Sequence, residues 1–249
     1  MSLPSPPAGP AAPLVVWLSG NSGAGKTFTG DALAATAGFT HLDGDELMWS
    51  KVPAEQAIWA DLVKSFSYWF EGEAAPPALW QPFYALQCAR VRAALAAGSA
   101  RVVLSLTVYH RETRDFIRAA LPEHVFVLLR CGREELVRRA RVRFAEYAAS
   151  RGESVAQAFE HAHRAPYSDA AFEAQTLSIM RGLMPLEPDE RGCHELDVTD
   201  GRPWAPLFAL LGLGAPPASV PAEEIAAVNY ARFKRHAGDC ARAEEAAGK

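Results

Sequence analysis

The chain is short of cysteine, of surplus positive charge and of long apolar runs, and each shortage excludes a class of protein. Four cysteines in 249 residues, Cys88, Cys131, Cys193 and Cys240, form no CxxC pair and have no histidine at zinc-ligand spacing. They read as reduced thiols of a cytoplasmic protein rather than as a disulfide frame or a zinc site. Residues 1–13 are mainly Pro, Ala and Ser with no basic residue, and the apolar run behind them, residues 14–18, is too brief for a signal peptide. No apolar stretch approaches the ~20 residues that cross a bilayer, so no membrane partner is expected. With 25 Lys plus Arg against 29 Asp plus Glu, the net charge of −4 provides no global field for nucleic acid. Any handling of anions has to be local.

What is present is the composition of a folded globular chain, 49% hydrophobic and 22% charged, which excludes a disordered one. A single domain of this length buries about three quarters of the surface its unfolded chain exposes, enough for a core without metals or disulfides. Residues 14–18 (LVVWL) are continuously apolar, as in a parallel strand covered on both faces. A glycine-rich turn follows at 20–25, then helical sequence over 26–37 ended by Gly38, then a short strand at 39–42: a βαβ unit. Helical patterns over 54–70 and 79–97 are separated by Pro76-Pro77. Residues 101–106, 124–129 and 194–198 read as three further strands, the first two each followed by an arginine-rich helical stretch, and 144–183 is a long, mostly helical excursion. A last helix is expected over 222–236. Strands alternating with helices imply a parallel α/β sheet with ligands at the carboxyl ends of its strands.

The residues Gly20-Asn21-Ser22-Gly23-Ala24-Gly25-Lys26-Thr27 match GxxxxGK[ST] at every fixed position, between an apolar strand and a helix start. There, backbone N–H groups and the positive end of the helix dipole can surround a polyphosphate. In that reading Lys26 neutralises the β and γ phosphates and Thr27 offers its hydroxyl to Mg²⁺. The Mg²⁺ also needs a carboxylate, and the third apolar strand, RVVLSLT, ends in Thr107 without an Asp. Asp43 of Asp43-Gly44-Asp45, closing the second strand, is the economical candidate, which leaves Asp45 to face an acceptor hydroxyl. The bland alternative is an Asx turn around Gly44 that only closes the loop.

Six arginines, Arg130, Arg133, Arg138, Arg139, Arg141 and Arg143, follow the fourth strand. Arg139 and Arg143 are four apart and share a helix face, so both could reach the same phosphates, whereas a solvated face balanced by Glu134 and Glu135 suits the others. The stretch 49–84 is unusually aromatic. Leu47, Met48, Trp49, Trp59, Tyr68 and Trp69 either line an acceptor pocket past Asp45 or pack the two helices.

The sequence resembles the gluconate kinase and shikimate kinase group of small-molecule P-loop kinases. The resemblance rests on GNSGAGKT, on HLDGDEL, on VVLSLTVYHRETRDFIR, on VFVLLRCGREELVRRARVR and, more weakly, on FEAQTLSIMRGLMPLEP, together about two thirds of the chain. It implies a P-loop NTPase-type three-layer α/β fold with a five-stranded parallel sheet, acceptor-binding helices at 49–97 and a helical lid at 139–190. The kinase domain would span 14–213, between a disordered tail at 1–13 and a linker and helix at 214–249. It also implies phosphoryl transfer from ATP, with Mg²⁺, to a hydroxyl of a small-molecule acceptor. Asp43 would assist the metal, and Asp45 would bind and deprotonate the acceptor. Arg139 would lie near adenine and Arg143 near the transferring phosphate, while Arg114 and Asp115 match a family Arg-Asp pair whose role is in part structural, with Arg114 among the substrate contacts. Gluconate kinases carry His-Pro after the acidic pair, where this chain has Leu47, Met48 and Trp49. With Trp49 as a substrate contact, the expected acceptor is therefore not gluconate. A monomer or homodimer is expected. The alternatives are a nucleotide or nucleic-acid 5′-hydroxyl kinase, supported by the arginines, and an NTP-driven switch, for which no NKxD guanine-reading motif is found.

Overall fold

The computed structural model describes residues 13–201 and 204–219, together with Glu223 and Ile225. The expected amino-terminal tail before Pro13, most of the expected C-terminal helix, and Cys240 lie outside the described residues.

Five parallel strands form one sheet in the order β2-β3-β1-β4-β5: β1 (Leu14–Gly20), β2 (Thr40–Asp43), β3 (Arg101–Ser105), β4 (His124–Arg130) and β5 (Cys193–Asp197). The central strand explains why the sequence looked continuously apolar. Successive side chains of a strand point to opposite faces, and both faces of β1 are covered. Trp17 packs on one side with Leu104 and Phe126, while Val16 and Leu18 pack on the other with Val103, Val127 and Leu129.

The first face carries α2 (Pro53–Phe70), α3 (Pro77–Ala96) and α4 (Arg111–Ala120), through residues such as Leu62, Trp80 and Ile117. The second carries α1 (Lys26–Ala37), α5 (Arg133–Ser150) and α8 (Trp204–Leu210), through Leu33, Leu136 and Phe208. Pro77 opens α3, where a missing backbone N–H costs nothing. The long excursion is helical throughout its middle: α5 is followed by α6 (Val155–His163), started by a capping box of Ser154 and Gln157, and by α7 (Asp169–Met180), capped by Ser168.

Helix α1 is fastened to the sheet by polar contacts as well as by packing. His41 on β2 meets Asp31 of α1 through Nδ1 at 2.7 Å and Ser105 of β3 through Nε2 at 2.9 Å. The order Ser-His-Asp imitates a hydrolytic relay, but Ser105 is 2% exposed, so no substrate reaches it. The trio is a tie between three elements. It also explains Gly30 of α1, because a Cβ there would come within 2.3 Å of the His41 Nε2.

Cys88, Cys131 and Cys193 are free thiols, as expected. Among the described residues, no helix is long and apolar enough to cross a membrane.

Candidate active site

The motif 20–27 lies between the carboxyl end of β1 and the start of α1. Its first residue, Gly20, adopts φ +144°, and a Cβ there would meet the Leu129 carbonyl oxygen at 2.5 Å, so only glycine fits between the loop and β4. The loop entrance is stitched to the connection after β3. The Thr107 hydroxyl donates to the Gly20 carbonyl at 2.9 Å, the Val108 N–H donates to Ser19 Oγ at 2.9 Å, and the Tyr84 hydroxyl from α3 donates to the Thr107 carbonyl at 2.9 Å. Thr107, the end of the third apolar strand without an Asp, therefore anchors the loop entrance from the connection after β3. Neither it nor Tyr84 carried a sequence signal for this, since the partners are remote in the chain.

Lys26 Nζ donates to the Gly20 and Asn21 carbonyls at 2.9 and 3.1 Å. Burial pushes its ammonium down to about 8, against the opposing pull of Asp45 and Asp43 and with the help of Arg143. Lys26 is thus within electrostatic range of Asp45, Arg143 and Asp43.

The acidic turn is held from α3. Asp43, in register with Ser105, is buried, and its carboxylate accepts from the Asp45 N–H at 3.1 Å. That is the Asx-type bond of the bland alternative, and it coexists with an Asp43 charge that is felt at Lys26. Gln87 donates to the Gly44 carbonyl at 2.9 Å, and Arg90 donates to the Asp43 carbonyl at 3.2 Å and to Glu46 at 2.8 Å. Residues Gly44–Trp49 continue as a 3-10 helix that leaves Asp45 exposed and Trp49 half-buried. The Asp45 charge is felt at Lys26, at Tyr84 and at Tyr109. Burial and that charge push the Tyr109 phenol up to about 12.

The arginines after β4 separate by their partners. Arg130, Arg133, Arg138 and Arg141 pair with Glu195, Glu173, Glu135 and Asp169. Arg139 pairs with Glu135 and also donates to the Gly23 and Val198 carbonyls at 3.3 and 2.9 Å, docking α5 on the loop tip. Arg143 is exposed and has no ion pair or hydrogen bond among the described residues. Arg139 and Arg143 line one cavity of about 290 Å³ between α5, α6, α7 and the loop residues Ser22 and Gly23, walled by Phe144, Phe159 and Phe172.

One expectation is corrected. Arg114 does not line the site. It is 1% exposed, its guanidinium bonds Glu190 at 2.6 and 2.7 Å, and its remaining N–H groups reach the Met184 and Pro185 carbonyls. Of the two readings left open for the aromatics, packing of the helices describes most of them. Leu47 and Trp69 are core residues, Trp59 packs against Phe66 and Phe83, and Met48 and Tyr68 are at the surface. The helices claimed most of these rings because they are the packing surface for α3 and for the connection after β3.

A profile of the AAA domain family matches residues 15–166, a segment that runs from β1 through the phosphate loop into α6 and its end. The chain belongs to the AAA domain family. No curated protein matches it. Its backbone is similar to that of an unliganded sugar kinase from Janibacter sp. HTCC2649, with a TM-score of 0.50 at 17% identity, over 81% of this chain and 96% of that one. A gluconokinase from Sinorhizobium meliloti 1021 gives a TM-score of 0.44 at 19% identity, over 90% and 97%. At such identities the first likeness speaks for the fold alone, which is the P-loop α/β fold of the family.

Proposed function

We propose that this protein is an ATP-dependent kinase that transfers the γ-phosphoryl group to a hydroxyl of a small molecule other than gluconate. The observation that carries the reading is the phosphate loop between β1 and α1, with the Lys26 ammonium on the Gly20 and Asn21 carbonyls and the Asp43-Gly44-Asp45 turn at the end of β2. It supplies a phosphate-binding cation and two carboxylates of different burial. The fold shared with a sugar kinase supports the same class.

In this reading the N–H groups of 23–27 and the Lys26 ammonium hold the β and γ phosphates. The acceptor hydroxyl, bound by Asp45, forms a bond to the γ-phosphorus as the bond to the bridging oxygen breaks. Its proton passes to Asp45, and ADP and a phosphate ester leave. Arg143, with no partner of its own in the protein, is available for the charge on the transferring group. Arg139, bonded to Gly23 and Val198, keeps α5 at the loop tip on the nucleotide side. Thr27 and Asp43 would hold Mg²⁺, which would supply neutralisation of the phosphate charge. Their two hard oxygen donors suit an ion that keeps most of its ligands as water and phosphate. Among the described residues, no cluster of three or more His, Cys, Asp or Glu offers an all-protein metal cage.

The nucleic-acid reading loses its support, because most of the arginines that suggested it are neutralised by acidic partners. The deciding experiment is ATP consumption across a set of hydroxylated small molecules, with an oligonucleotide and an acceptor-free reaction as controls. Stimulation by a small molecule is expected. Stimulation by the oligonucleotide alone, or slow unstimulated hydrolysis alone, would overturn the reading in favour of the nucleic-acid kinase or the switch.

A further inference from the structure

The carbonyl oxygen of Gly20 accepts two side-chain bonds from distant parts of the chain. Lys26 Nζ donates to it at 2.9 Å from the start of α1, and the Thr107 hydroxyl donates to it at 2.9 Å from the connection after β3. Gly20 is buried, and a buried carbonyl is rarely left unpaired. Its two lone pairs let it hold both donors at once.

Thr107 is itself held in place on either side. The Leu106 N–H donates to the Leu18 carbonyl at 2.9 Å, and the Val108 N–H donates to Ser19 Oγ at 2.9 Å. Residues 106–108 therefore run alongside 18–20, beyond Ser105, the last residue of β3 in register with β1. The Trp17 indole N–H donates to the Leu106 carbonyl at 3.2 Å, and the buried Tyr84 hydroxyl donates to the Thr107 carbonyl at 2.9 Å. With its flanking peptides pinned and its β-branched side chain restricted in χ1, Thr107 has little freedom to aim its hydroxyl elsewhere.

The lysine is the donor that has to move its bonds. Its ammonium carries three N–H groups, and two of them are on the Gly20 and Asn21 carbonyls at 2.9 and 3.1 Å. A nucleotide that recruits Lys26 to both its β and γ phosphates draws the ammonium away from at least one of these oxygens. Gly20 is the more deeply placed, buried where Asn21 is half-buried, so losing its donor costs most. Resting on the phosphate-loop reading, we propose that Thr107 is a positioning residue that keeps the Gly20 carbonyl paired while Lys26 is handed over to the nucleotide phosphates. Without that hydroxyl the oxygen depends on the lysine alone, the protein holds the ammonium back, and the phosphates bind more weakly.

The test uses the full chain, with equilibrium binding of ATP and thermal unfolding as readouts. Thr107→Val replaces the hydroxyl with a methyl of similar size and should weaken ATP binding about tenfold, equivalent to ~1.4 kcal/mol. Thr107→Ser keeps the hydroxyl, drops the methyl and should bind ATP as the parent does. Thr107→Val and Lys26→Met each leave Gly20 one donor, whereas together they leave it none. The double variant should therefore lose more melting temperature than the two single variants combined. Unchanged ATP affinity in Thr107→Val, an equal loss in Thr107→Ser, or additive melting losses overturns the proposal. Failure of the parent chain to bind ATP overturns the phosphate-loop reading together with it. Parent binding that weakens as expected, without turnover of any acceptor, overturns the kinase reading and supports the role of Thr107.

Discussion

The Lys26 ammonium lies 2.9 Å from the carbonyl oxygen of Gly20, the first residue of its own loop. With Asn21 the two carbonyls occupy the lysine from the protein side, and a nucleotide phosphate would compete for the same donor. The side chain serves the phosphate position and contributes nothing apolar to either core. Lys26→Ala should therefore abolish ATP turnover while leaving the cooperative unfolding transition in place. Retained turnover in a folded variant would remove the phosphate-loop assignment.

The same lysine sets a pH limb. Burial holds its ammonium at about 8, below the ordinary 10.5. As pH rises through about 8 the free enzyme loses this charge, so kcat/KM for ATP should fall there, and Lys26→Arg should move the limb upward or remove it. Stability should run the other way. Between about 8 and 10.5 the unfolded lysine keeps a proton that the native one has shed, so this residue's contribution makes the fold more stable as pH rises. A limb unchanged in Lys26→Arg would assign it to another group.

Asp45 is exposed at the head of the 3-10 helix, and its charge is felt at Lys26. Asp45→Asn should lower kcat by about 10²–10⁴-fold, the usual worth of a positioned general base, with KM for ATP little changed. Loss of ATP affinity instead would make Asp45 a metal residue and return the acceptor role to another side chain. Asp43→Asn should differ in kind, raising the Mg²⁺ concentration needed for half-maximal rate.

What could be read from the sequence followed from distance along the chain. The strand, loop and helix of 14–37 are contiguous, so spacing alone defined them, and Asp43-Gly44-Asp45 was identified by its place at the end of β2. The Arg138–Glu135 contact lies within one helical turn and fits the balanced face expected for the arginines other than Arg139 and Arg143, whereas the Arg139–Glu135 contact was not part of that expectation. Arg114 was not legible, because its partner Glu190 lies 76 positions away. Thr107 likewise reaches Gly20 across 87 positions. The aromatics were legible as a cluster but not in their fates: Trp69 became core because Tyr109, from beyond α3, stacks on it. Tyr109 itself had no motif to mark it.

Arg143 and Arg141 lie on the same helix but differ in partnership. Arg141 pairs with Asp169, whereas Arg143 has no such bond among the described residues. Arg143→Ala should lower kcat and kcat/KM together, as expected for an interaction made in the transition state, and Arg141→Ala should leave both near the parent values. A change confined to KM for ATP would make Arg143 a ground-state phosphate contact.

The pair Arg114–Glu190 should be the point at which acid and mutation unfold the protein most directly. Both side chains are within 1% of full burial, and the carboxylate also accepts from the Glu187 N–H. Burial alone would raise the Glu190 carboxyl, but the hydrogen bonds from Arg114 and Glu187 outweigh it and hold the carboxyl below its ordinary value. A carboxylate with a depressed native pKa contributes stability that is present above about 4.5 and is lost as pH falls through the lower, native value. Glu190→Gln keeps the shape but strands a buried cation, at a cost of about 3–5 kcal/mol, and it should flatten this part of the acid limb. Joint replacement, Arg114→Met with Glu190→Leu, removes both charges and should recover most of that loss, since no unpaired ion is left. Urea unfolding of the single and double variants at neutral and acidic pH reads these effects. A double variant as unstable as the single would show that the pair does more than neutralise itself. A double variant of normal stability with a raised KM for the acceptor would return Arg114 to the substrate site.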